Sequence, residues 1–136
     1  HFPNDARDRV AHLRVGILSL PGVSERGFQD SKTGNYSIHF YLGEDALFEA
    51  HSHEAVRVIL DFMPEDARSI LDRRDLSSLR FEPWSQEGTR KALEEMLVGS
   101  EREEGPVHID LALRSQDDLR SFIRLVHAKY DAMIAH

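Results

Sequence analysis

The sequence predicts an α+β fold, an antiparallel sheet of about four to five strands with helices packed on one face, a two-layer sandwich in a single domain over residues 1–136. Three observations carry this expectation. Val107, Ile109, Leu111 and Leu113 alternate strictly with His108, Asp110, Ala112 and Arg114, the two-residue period of a strand with one buried face. Directly behind them, Leu119, Phe122, Ile123, Val126, Tyr130 and Met133 recur at helical spacing. Tyr36, Ile38, Phe40 and Leu42 also alternate with polar residues, after a loop closed by Gly34.

From the N-terminus, Asn4 caps a helix whose apolar stripe is Ala6, Val10, Leu13, Ile17 and Leu20, and Pro21-Gly22 stops it. Val23 to Gln29 then leads through Asp30 to Gly34 into Asn35 to Leu42, a β-hairpin. Ala46 to Met63 reads two ways. A helix would carry the stripe Leu47, His51, Ala55, Val58 and Phe62. The β-branched run Ala55 to Phe62 favours a strand instead, with Val56, Val58, Leu60 and Phe62 inward and Arg57 and Asp61 outward. Leu47 to Ser52 is then the strand before it.

Pro64-Glu65-Asp66 reads as a helix start, because proline in the first turn loses no hydrogen bond and carboxylates suit the positive end of a helix. That helix extends to about Arg74. Leu79 to Glu82 suggests a short strand cut by Pro83, with Trp84 plugging a core edge. Ser85 caps a helix with the stripe Thr89, Ala92, Leu93, Met96 and Leu97, ending near Gly99, and Gly99 to Pro106 reads as a mobile loop. After the Val107 to Leu113 strand, Ser115 and Asp118 have capping-box spacing before the closing helix.

Composition narrows the function classes. The 136 residues are 40% hydrophobic and include no Cys, which leaves one globular domain with no disulfide scaffold and no thiol chemistry. A net charge of −7 opposes phosphate backbones and anionic lipid, so neither nucleic acid nor membrane is an expected partner. No apolar run approaches the roughly 18–20 residues of a spanning helix and no basic-then-apolar leader opens the sequence, so a cytoplasmic location is expected.

The order of elements, with Leu20-Pro21-Gly22-Val23 ending the first helix, a hairpin, a strand running into Pro64-Glu65-Asp66-Ala67, and a final strand and helix ending Ala128-Lys129-Tyr130-Asp131, resembles the small bacterial α+β domains of the MmcQ/YjbR type and those labelled "luciferase family". The resemblance implies a fold and no particular activity. Between Leu76 and Glu104 the sequence departs from it.

The outward positions of the predicted sheet collect the candidate functional residues. His39, Tyr41, Arg57, Asp61 and Asp110 form a candidate ligand or partner face, beside Ser37 and Glu49. His51, His53 and His108 are candidate metal ligands, since His-x-His places two imidazoles on one side of a strand and imidazole suits a divalent metal. An ordinary solvated polar face has the same sequence signature. His12 and His127 read as surface residues. With no nucleophile motif, no Gly-rich phosphate loop and no HExxH, the expectation is a noncatalytic binding or regulatory domain. Its open polar face would hold a protein partner or a second copy, and no cofactor is expected. The alternative is a metal- or ligand-dependent enzyme-like site built from His39, His51, His53, His108 and Asp110.

Overall fold

The computed structural model describes residues 4–29, 36–52, 56–62, 79–103 and 107–135. Helix α1 spans Asn4–Leu18 and leads into strands β1 (Val23–Gln29), β2 (Tyr36–Leu42), β3 (Asp45–Ser52) and β4 (Val56–Phe62). Helix α2 (Gln86–Glu103), strand β5 (Val107–Leu113) and helix α3 (Gln116–Ala135) complete the described chain. The five strands form one antiparallel sheet in the order β1-β2-β3-β4-β5. The α+β architecture read from the sequence is the one present, and β4 resolves the helix-or-strand ambiguity in favour of the strand. The helix expected at Pro64 and the loop around Gly34 lie outside the described residues.

Alternation decides which side of the sheet each residue takes. Ile38, Phe40, Ala50, Val56, Val58, Leu60, Ile109, Leu111 and Leu113 are buried, in one cluster with Leu13 and Ile17 of α1, Leu93 of α2, and Leu119, Phe122, Leu125 and Val126 of α3. Phe40 and Phe48, opposite each other on β2 and β3, stack at 4.4 Å between centroids, and Phe122 meets Phe48 edge-on at 5.1 Å. Helices α1 and α3 approach closely at Gly16, where a Cβ would stand 3.2 Å from the Ile123 side chain. His127, expected at the surface, lies in this crossing with its Nε2 3.2 Å from the Gly16 carbonyl, so it bridges the two helices.

Four further features depart from the sequence reading, each for a physical reason. Strand β3 starts at Asp45 because Gly43, at φ +64°, closes a two-residue turn from Leu42 and lets pairing resume at once. A β-bulge between Phe40 and Tyr41 leaves Leu47 as an extra residue and turns it inward, where strict alternation would place it outward with Glu49. Leu79 to Phe81 is not a strand, since its backbone N–H groups go to helix side chains. Arg80 N–H donates to Ser121 Oγ (3.1 Å), Phe81 N–H to Thr89 Oγ1 (3.0 Å) and Glu82 N–H to Asp118 Oδ1 (2.8 Å). Finally, α2 continues through Gly99 to Glu103 where a loop was expected, one glycine costing a helix only about 1 kcal/mol.

The caps agree with the sequence in one half and extend it in the other. Gly88 N–H donates to Ser85 Oγ (3.0 Å) and Asp118 N–H to Ser115 Oγ (3.1 Å), as N-cap serines require. The Asp118 carboxylate reaches past Ser115, accepting from Arg114 N–H (2.8 Å) as well as Glu82 N–H. Trp84 is half-buried and packs against the core cluster, as expected of a plug.

Candidate functional site

The face of the sheet away from the helices gathers the polar residues of all five strands, and the registers state which of them are neighbours. One row runs Phe28, Ser37, His51, Arg57, Ala112 across the strands. The next runs Arg26, His39, Glu49, Ile59, Asp110. Ser24 lies opposite Tyr41, and Asp61 opposite His108.

At the centre of the face, Glu49 lies between two imidazoles. One oxygen is 3.3 Å from His39 Nδ1 and the other 3.0 Å from His51 Nε2, with the two rings 6.0 Å apart. A carboxylate at Nδ1 of His39 favours the tautomer that carries its proton there and leaves Nε2 as an acceptor. Ser37 Oγ is 3.4 Å from that nitrogen. Phe28 covers the other flank, its ring 4.6 Å edge-on from His39. Hydroxyl, imidazole and carboxylate thus follow one another in the order of a general-base relay. Both separations are long for hydrogen bonds, and the row is open to water, which weakens every electrostatic term. Chemically it can hold and orient a proton.

Toward the other edge, Arg57 donates to Asp110 at 2.7 Å, joining β4 to β5. Toward β1, the Arg26 guanidinium lies 5.6 Å above the Tyr41 ring, a cation–π pair. The five residues expected to form a partner face, His39, Tyr41, Arg57, Asp61 and Asp110, therefore share one side of the sheet by register. Arg26 and Phe28 belong to it too and were missed, because Val-Ser-Glu-Arg-Gly-Phe-Gln places apolar residues on both alternating sets. Only pairing with β2 tells which set faces out.

Of the candidate metal ligands, the strand registers hold His51 and His108 apart. His51 joins Glu49 and His39, while His53 lies outside the described residues. His108 pairs with Asp61, two strands away from His51 and four residues further along β4 than Arg57, a backbone separation of about 16 Å at ordinary strand spacings. Among the described residues, no three His, Asp or Glu side chains are placed to share a metal ion.

Elsewhere, Gln86, Glu87, Arg90, Lys91 and Glu94 line a hollow along α2, crossed by the i,i+4 pairs Arg90–Glu94 (3.0 Å) and Lys91–Glu87 (3.6 Å). It presents an ordinary solvated helix surface. Lys129 is the one strongly perturbed titratable group found among the described residues. Its Nζ donates to the carbonyls of Leu47 (2.7 Å) and Ala46 (3.3 Å), beside the bulge. Burial pushes its pKa down from 10.5 to about 8, and the charge of Asp61 opposes that in part. Among the described residues, no helix is long and apolar enough to cross a membrane. No protein-family model, no curated protein and no solved structure matches the chain, so the residues themselves carry the functional reading.

Proposed function

We propose that this chain is a noncatalytic binding domain that presents its open sheet face to a protein partner. The observation behind this reading is the make-up of the face. It displays Tyr41 under Arg26, the Phe28 ring, Ile59 and the ion pair Arg57–Asp110 on a rigid sheet that no described helix covers. Aromatic residues and arginine are the side chains enriched where proteins meet, because they bury large area with few torsions to freeze. Charge agrees. Two arginines against three carboxylates, Glu49, Asp61 and Asp110, leave this face near neutral on a chain of net charge −7, so the face repels an acidic partner far less than the rest of the surface does.

The test uses a photo-crosslinking amino acid in place of Tyr41, and in place of Glu95 on the exposed side of α2 as a control, in cells making the full chain. The expected outcome is a defined protein adduct from position 41 alone, suppressed when Ile59→Asp places a third charge between Glu49 and Asp110. Equal adducts from both positions, or adducts indifferent to Ile59→Asp, would sink the reading.

A further inference from the structure

We propose that two copies of this chain join through β1, residues Glu25 to Gln29 pairing antiparallel with the same residues of a second copy about Gly27. Strand β1 ends the sheet, and its ladder with β2 tells which of its backbone groups remain directed outward. Gly43 N–H donates to the Gly22 carbonyl (3.3 Å), and the register holds without a break from Val23↔Leu42 to Gln29↔Tyr36. Hydrogen-bonded and non-hydrogen-bonded pairs alternate along an antiparallel ladder. Ser24, Arg26 and Phe28 therefore bond to β2, while Glu25, Gly27 and Gln29 turn their N–H and C=O groups to the edge; the Val23 N–H is already taken by the Leu20 carbonyl (3.3 Å). Such a row is a template for another strand unless something blocks it.

Among two-fold registers centred from Glu25 to Gly27, the side chains favour one. A two-fold pairing that keeps both sets of helices on one side needs residues of the same parity opposite each other. Centred on Arg26, it would oppose two guanidinium groups; centred on Glu25, two carboxylates. Centred on Gly27, it sets Arg26 opposite Phe28 of the second copy and Glu25 opposite Gln29, with nothing larger than hydrogen at the axis. Arg26 is exposed and Phe28 is 47% exposed, so the guanidinium on Tyr41 can also meet the Phe28 ring of the second copy as a cation–π pair.

The neighbouring helix adds apolar surface. Arg14 is ion-paired with Glu25, which fixes the side of α1 that borders β1. Leu18, 36% exposed, lies about 40° round the helix from Arg14. The pairing extends the sheet to ten strands and leaves Ile59 and the Arg57–Asp110 pair of each copy open, so it stands apart from the partner reading above while sharing Arg26 and Phe28 with it.

Sedimentation equilibrium of the full chain tests it. The expected result at micromolar concentration is a dimer that Ile59→Asp, on β4 and away from β1, leaves intact. Phe28→Glu and Phe28→Lys both remove the ring, but only the first gives Arg26 of the second copy an opposite charge. Phe28→Lys is expected to weaken association at least about tenfold more than Phe28→Glu. Because the chain has no Cys, a single Gly27→Cys places one thiol on each side of the axis, within disulfide reach of itself. It is expected to cross-link on oxidation, and Ser24→Cys is not. A monomeric wild type, equal effects of the two Phe28 variants, or equal cross-linking from positions 24 and 27 would overturn the proposal.

Discussion

Lys129 shows how one residue answers to a defect in the sheet. The bulge opposite Phe40 and Tyr41 adds Leu47 to β3, and the Lys129 ammonium takes the carbonyls of Ala46 and Leu47. Bringing a charge there costs free energy, which is why burial lowers its pKa to about 8. The linkage has a definite sign. The unfolded chain holds the Lys129 proton up to 10.5 and the folded chain only to about 8, so between those values folding releases a proton and stability rises with pH. Below about pH 8 the cost of burying the charge is present in full. Chemical denaturation of wild type and Lys129→Met across pH 6 to 10.5 should therefore show the wild type gaining on the variant above pH 8, with a constant difference below it. A difference that stays level through pH 10.5 would mean Lys129 keeps its proton in the fold.

At the scale of elements, the segment from Leu79 to Glu82 is held as a strap without being a strand. Three successive N–H groups find side-chain acceptors in two helices, Thr89 from α2, and Ser121 and Asp118 from α3. Thr89 and Asp118 are fully buried, so no water replaces them. Thr89→Val keeps the shape and removes the acceptor for Phe81, and should destabilise the domain by about 1–3 kcal/mol in urea unfolding. A cost near zero would show that the Phe81 N–H finds another partner. The sequence reading mistook this segment because Leu79 and Phe81 alternate as strand residues do, and both are indeed buried. What it lacked was the origin of the acceptors, 8, 36 and 41 residues further along the chain.

On the scale of the whole molecule, one core joins every described element, centred where Phe122 of α3 meets Phe48 of β3. Phe122→Ala should cost about 3–5 kcal/mol, read as a lower urea midpoint with an unchanged slope. A smaller loss would mean that α3 collapses onto the sheet and fills the space. The sequence by itself determined the elements whose signal is local. Alternation in β2, β4 and β5, the stripes of α1 and α3, and the serine caps at Ser85 and Ser115 all lie within a few residues of the groups they satisfy. It also named most of the polar face, since the inward set of each alternating strand leaves the other set outward. Only the tertiary structure decided which of those residues meet. Arg57 finds Asp110 across 53 residues, Glu49 is shared by His39 and His51, and His108 is carried to the edge strand β5, opposite Asp61. The physical reason is strand register. It is set by turn geometry, the bulge and core packing acting together, and a shift of one residue would turn a whole strand's side chains to the opposite face.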